Sequence, residues 1–155
     1  MTRFLCGLAA LFVAVAATAQ AARIGDLAYD PELWTVEPLG KTENMYRVAP
    51  REGREGDVLW ITVSQGPAAA CTPALLAAET EHLHDRKFRT IAKPGLDIHV
   101  VTAWTGCRNA RPHSVHACVG YEGQLYRFNA PVFGCSGGPG FGPGAVDFLE
   151  QLRVP

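Results

Sequence analysis

The sequence predicts an α+β domain: an antiparallel β-sheet of about six strands flanked by two helices, in the order β-β-β-α-β-β-β-α. Three observations carry this. Short β-branched and aromatic runs fall into two groups of three. A capped helical start at Thr72-Pro73 separates the groups, and a second helical stretch closes the chain. Within the later group, Glu122-Gly123 joins two strand-like runs directly, a two-residue hairpin signal that implies antiparallel neighbours.

Leu33-Trp34-Thr35-Val36 is the first strand, ended by Pro38-Leu39-Gly40. Met45-Tyr46-Arg47-Val48 is the second and stops at Pro50. After the charged turn Arg51 to Gly56 comes the richest run, Asp57 to Ser64, with Gln65-Gly66-Pro67 behind it. Thr72 suits a helix N-cap and Pro73 the first helical position, since that position needs no N–H. Leu75, Leu76, Ala78 and Leu83 gather on one side, so the helix is expected to run to about Lys87. Beyond Pro94-Gly95, a long strand from Asp97 to Thr105 sets Ile98, Val100, Thr102 and Trp104 on one face. His113 to Tyr121 and Gln124 to Asn129 form the hairpin, and a Gly/Pro-rich loop, Gly134 to Gly144, leads into a short helix from Ala145 to Arg153. Trp34, Trp60 and Trp104 all fall on predicted strands, where packing is the default role of large aromatics.

This layout resembles the PsbP-like family, whose members have a six-stranded antiparallel sheet flanked by helices. The residues that carry the resemblance are Leu33-Trp34-Thr35-Val36, Val58 to Ser64, Tyr121-Glu122-Gly123-Gln124-Leu125-Tyr126 and the closing Phe148-Leu149-Glu150-Gln151-Leu152. It covers most of the chain after the leader and implies a fold; because that family is diverse and often non-enzymatic, it says little of activity.

The chain has 155 residues, one domain's length, and its 14 Lys+Arg against 15 Asp+Glu leave a net charge of -1. Such a balance supplies no electrostatic footprint for nucleic acid. Part of the apolar content is concentrated at the start. Arg3 precedes an apolar run, Phe4 to Ala17, followed by small residues with two A-x-A cleavage points, after Ala19 or after Ala21. This three-part pattern is that of a secretory signal peptide over residues 1–21, leaving a single domain over 22–155. The run is shorter than the roughly 20 residues a membrane-spanning helix needs. The remaining chain offers no other apolar stretch of that length, and the protein is expected to be periplasmic or secreted.

Cleavage removes Cys6 and leaves Cys71, Cys107, Cys118 and Cys135 from the five cysteines. An even set in an exported chain reads as two disulfides. Three pairings are open; the reading favours Cys107–Cys118, lying across a hairpin, with Cys71–Cys135. No C-x-x-C spacing supports a cysteine metal site.

The segment Gly134-Cys135-Ser136-Gly137-Gly138-Pro139 looks like the nucleophile string of chymotrypsin-like proteases, with Cys135 in place of the acid. A triad also needs a histidine base and an acid to orient it, and the adjacent His84 and Asp85 are a poor pair for one triad. A hydrolase using Ser136 is therefore only a minor alternative to a glycine loop. The backbone of Ser136, Gly137 and Gly138 ahead of a helix is also a candidate anion or ligand loop, although Pro139 and Pro143 each remove a donor. Histidines supply candidate metal ligands. On a helix, His82 and His84 point about 200° apart and cannot share an ion, but Glu79 with His82, or Glu81 with His84, could each give half a site. His99 and His116 fall on middle strands and share a face if Asp97–Gly106 pairs with His113–Tyr121; with His113 nearby, the set suits copper, zinc or nickel. Ordinary strand and surface histidines are the competing reading. Carboxylate groups Asp26/Asp30/Glu32 and Glu52/Glu55/Asp57 match no EF-hand loop and read as solvated turns.

The sequence thus points to a small, exported, non-enzymatic accessory or binding protein with an unidentified periplasmic protein or small ligand as partner. The alternative is a periplasmic metal-binding or metal-delivery protein holding a divalent or trivalent ion through histidine and carboxylate side chains.

Overall fold

The computed structural model describes residues 22–39, 45–51, 59–65, 67–104, 113–130 and 144–155. Among them the sheet is seven-stranded, and a separate hairpin of β1 (Ala22–Ile24) and β2 (Leu27–Tyr29) stands apart from it. Along the chain follow β3 (Trp34–Pro38), β4 (Met45–Pro50), β5 (Leu59–Gln65), a 3-10 turn (Ala68–Ala70) and α1 (Pro73–Glu79). Then come β6 (His84–Lys93), β7 (Leu96–Trp104), β8 (His113–Tyr121), β9 (Gln124–Ala130) and α2 (Gly144–Gln151). The order across the sheet is β3-β4-β5-β9-β8-β7-β6, and every pairing is antiparallel. Two meanders therefore meet at β5 and β9. The segment joining them crosses the sheet from its middle to its far edge, and α1 lies on that crossing.

Local chemistry accounts for the best-defined elements. Glu122 and Gly123 have φ of 47° and 73°, and positive φ at both positions is what a tight hairpin turn requires. Thr72 caps α1, its Oγ1 accepting from Leu75 N at 3.1 Å, with Pro73 at the first helical position.

The sheet is buried on both faces, unequally. On one face, Ile98, Val100, Val119, Tyr126 and Phe128 pack against Phe148 and Leu149 of α2, against Leu152 just beyond it, and against Ile24 and Leu27 of the first hairpin. Trp34 seals the edge of this core: its ring meets Phe148 edge-on at 5.2 Å, and its Nε1 donates to Gln151 Oε1 at 2.8 Å. The opposite face holds a small cluster, Leu76 of α1 on Val101, Ala103, Cys118 and Leu125. The crossing chain lies so close that a Cβ on Gly120 would collide with the Ala68 carbonyl.

The expected strand and helix boundaries need three corrections. α1 ends at Glu79 rather than near Lys87, because Thr80 turns back on it: Thr80 Oγ1 donates to Leu76 O at 2.6 Å. His84 to Lys93, read partly as helix, is a ten-residue strand. It runs along the sheet edge with His84 to Thr90 exposed, so no apolar alternation marks it. The first hairpin raises the total to nine strands among the described residues, against the six expected, with order β-β-β-β-β-α-β-β-β-β-α.

Cysteine pairing is corrected as well. Cys71 is bonded to Cys118, with Cα atoms 5.6 Å apart, which excludes both Cys107–Cys118 and Cys71–Cys135. The register explains it. Across β7 the residue facing Cys118 is His99, whereas β7 ends at Trp104, before Cys107 is reached. Cys118 instead faces the crossing segment, which delivers Cys71 just ahead of α1. Cys107 and Cys135 lie outside the described residues, so one disulfide rather than two is seen.

Candidate functional site

Side chains on the α1 face follow from the register. His99 pairs with Cys118, Val101 with His116, Cys118 with Arg127 and His116 with Asn129. Directly opposed residues in an antiparallel sheet share a face, so His99 and His116 do lie on the same side, as expected. They are diagonal neighbours across β7 and β8, with Cys118 directly opposite His99 and Val101 directly opposite His116. Each ring has its own partner. His99 Nδ1 lies 2.9 Å from Thr90 Oγ1 on β6. His116 Nδ1 lies 3.0 Å from Asn129 Oδ1, and its Nε2 3.2 Å from Ser114 Oγ.

The surroundings of the two histidines differ. The Ser114 hydroxyl that faces His116 Nε2 also donates to Ala103 O at 3.4 Å. Burial pushes the His116 imidazole below its ordinary value of 6.5; the Asn129 hydrogen bond and Glu79 oppose that shift, and His82 adds to it. Glu79, at the end of α1, also pairs with Arg127 at 2.8 Å. Ser114, His116 and Asn129 thus form a side-chain network across β8 and β9. Ser114 is 2% exposed, so its hydroxyl is closed to a substrate. The network ties the two strands together.

His99 instead stands at the meeting point of two open clefts that α1 leaves beside the sheet edge. One, about 270 Å³, is lined by Pro73, Leu76, Phe88, Thr90 and His99 among others. The second, about 380 Å³, lies beyond the disulfide among Ala68, Cys71, Asp97, His99 and Gly120. Phe88 is 47% exposed at the rim of the first. The first cleft is walled mainly by apolar atoms, the usual make-up of a binding cleft, whereas the second is mainly polar.

Of the remaining candidates, His82 lies near enough to His116 to act on its protonation. His82 lies in the exposed turn after α1, and His84 begins β6 with its ring 6.3 Å from that of Trp104; neither is on the helix where the sequence placed them. His113 pairs with Trp104 by backbone register. Among the described residues, no group of three or more His, Cys, Asp or Glu side chains is placed to hold a metal ion. Ser136, Gly137 and Gly138 lie outside the described residues.

Sequence reasoning missed Thr90, Ser114 and Asn129. The signal for Asn129 was present: counting six residues outward from Glu122 and from Gly123 lands on His116 and Asn129. Thr90 had no such signal while β6 was read as helix.

No family model and no curated protein matches the chain. Among solved structures, it aligns with the solution structure of cyanobacterial PsbP (CyanoP) from Synechocystis sp. PCC 6803 at a TM-score of 0.50. The alignment covers 88% of this chain and 91% of that one, with 10% sequence identity. At so low an identity the agreement concerns backbone architecture and leaves the histidines and clefts of the α1 face unassigned. The protein has a PsbP-like α+β fold.

Proposed function

We propose that this protein is an exported, non-enzymatic accessory protein that binds a partner through the α1 face of its sheet. One observation carries the reading: His99, with Thr90 beside it, sits where two open clefts meet at the exposed edge of the sheet. Export is supported by the Arg3, Phe4–Ala17 and Ala17-Thr18-Ala19 pattern, and the Cys71–Cys118 bond suits an oxidising compartment.

Two experiments test this. Expressed from its first methionine in a bacterium, the protein should reach the periplasm with a new amino terminus at Gln20 or Ala22; retention of Met1 in the cytoplasm would refute export. A photo-crosslinking residue at Phe88 should give a discrete, saturable adduct in an extract of the source compartment, and the same residue at Glu122 should not. Equal labelling from both positions, or none from Phe88, would refute the binding face.

A further inference from the structure

We infer that β6 is a strand-addition site for an extended acidic segment of a partner protein, anchored by one apolar side chain beside Phe88. This rests on the binding-face reading above and deepens it. Among the described residues β6 is the last strand of the sheet, and its residues from His84 to Thr90 are all exposed. On an edge strand, alternate N–H and C=O groups point away from the sheet and can pair with another strand. Such edges are normally kept short or interrupted, and the two edges of this sheet differ in that respect. β3, the opposite edge, has five residues and ends at Pro38. β6 has ten; its irregularity is confined to the start, where Asp85 has φ 50° and the register shifts, and Lys87 to Lys93 then run in unbroken register with β7.

Charge selects the occupant. β6 carries Arg86, Lys87, Arg89 and Lys93 against Asp85 alone, while the whole chain has a net charge of -1. A second copy pairing antiparallel along β6 would set these cations against one another, whereas an acidic strand would place opposite charges across the new ladder. Some of the charge is already used: Arg89 pairs with Glu150, Arg86 donates to Ala77 O, and Lys93 donates to the Glu150 and Leu152 carbonyls. Lys87 has no ion pair among the described residues. The apolar requirement comes from Phe88, which shares the α1 face with Thr90 and borders the cleft over Pro73 and Leu76.

The test uses the exported, oxidised protein and a synthetic nine-residue peptide, capped at both ends, alternating Glu with Val and carrying Leu at its centre. Fluorescence polarisation reads binding, and amide hydrogen exchange reads the backbone. The expected result is saturable binding that slows exchange in β6 and weakens about tenfold or more with Lys87→Glu or Phe88→Ser, as loss of a complementary charge or an anchor should. Replacing Glu by Lys in the peptide, or N-methylating its alternate residues, should abolish binding. Both substitutions are at exposed positions, so folding is not at issue. Absence of binding, equal binding of the N-methylated peptide, or unchanged exchange in β6 would overturn strand addition. Self-association through β6, seen by sedimentation equilibrium, would assign the edge to a second copy instead and equally overturn it. A Phe88 photo-adduct with no peptide binding would leave the binding face standing and remove this inference alone.

Discussion

The two faces of the sheet are built from different materials. Beneath α2 the interior is continuous and apolar, closed by the first hairpin, by Trp34 and by the carboxyl-terminal segment, where Ala28 and Arg153 exchange backbone hydrogen bonds at 2.9 and 3.1 Å. Beneath α1 a few apolar side chains are ringed by His99, His116, Asn129 and the Glu79–Arg127 pair. α1 is too short to cover that face, and a disulfide rather than a large buried area holds its start in place. The difference separates two tasks. Cohesion sits under α2, and the side left partly open carries the polar groups and the clefts. Substitutions should therefore act globally on one face and locally on the other.

The largest effect is expected from Phe148→Ala. Its ring is fully buried between Trp34 and Tyr29, and such truncations cost about 3–5 kcal/mol. Urea unfolding should show a loss of that size, with protection falling across the whole sheet. If protection falls only around α2, the face is not the centre of cohesion.

Breaking Cys71–Cys118 should come next. The bond closes a separation of 47 residues, and the chain-entropy account assigns such a loop about 4 kcal/mol, an upper figure for a segment that opens locally. With both cysteines changed to Ala, amide exchange should accelerate at Ala68 to Thr80 and leave α2 protected. Uniform acceleration would mean that the two faces do not unfold separately.

A smaller, pH-dependent effect belongs to His116. Burial holds its folded value below 6.5, so the unfolded chain takes up the proton first as pH falls. The contribution of the neutral imidazole is complete above pH 6.5 and is lost progressively as pH falls through the lower, folded value. Thermal unfolding between pH 7.5 and 5 should show a steeper decline for the native protein than for His116→Gln. Parallel curves would show that the ring is not buried as described.

The same contrast governs what the sequence could disclose. The β8–β9 hairpin was legible because Glu122-Gly123 is a local signal that also sets the register, and the shared face of His99 and His116 followed from neighbouring strands of similar length. The closing helix was legible as a short stretch after the Gly/Pro-rich loop, expected from Ala145 to Arg153 and observed over Gly144–Gln151. β6 was not, since an edge strand exposed along most of its length has no buried face to pattern it, and the start of α1 lent its period to what followed. The disulfide was hidden for another reason. It depends on where the crossing segment passes over β8, and proximity of that kind is set by the order of strands across the sheet, not by spacing along the chain. Thr90 was lost with β6, and with it the partner of His99.

The smallest expected effect bears most directly on which face β6 serves. Arg89 reaches from β6 to Glu150 of α2 at 3.1 Å, but the two side chains are 46% and 49% exposed. A pair so open to solvent contributes about 0.2–1 kcal/mol and is screened by salt. A double-mutant cycle with Arg89→Gln and Glu150→Gln should give a coupling within that range, shrinking further at raised salt. Such a result leaves β6 held by its ladder with β7, by Lys93 on the Glu150 and Leu152 carbonyls and by Arg86 on Ala77 O, with its outer edge free, among the described residues, to accept another strand. A coupling well above 1 kcal/mol that resists salt would instead fasten β6 to the α2 side. The strand would then belong to the cohesive face, and the division between the two faces would have to be drawn inside the edge rather than along it.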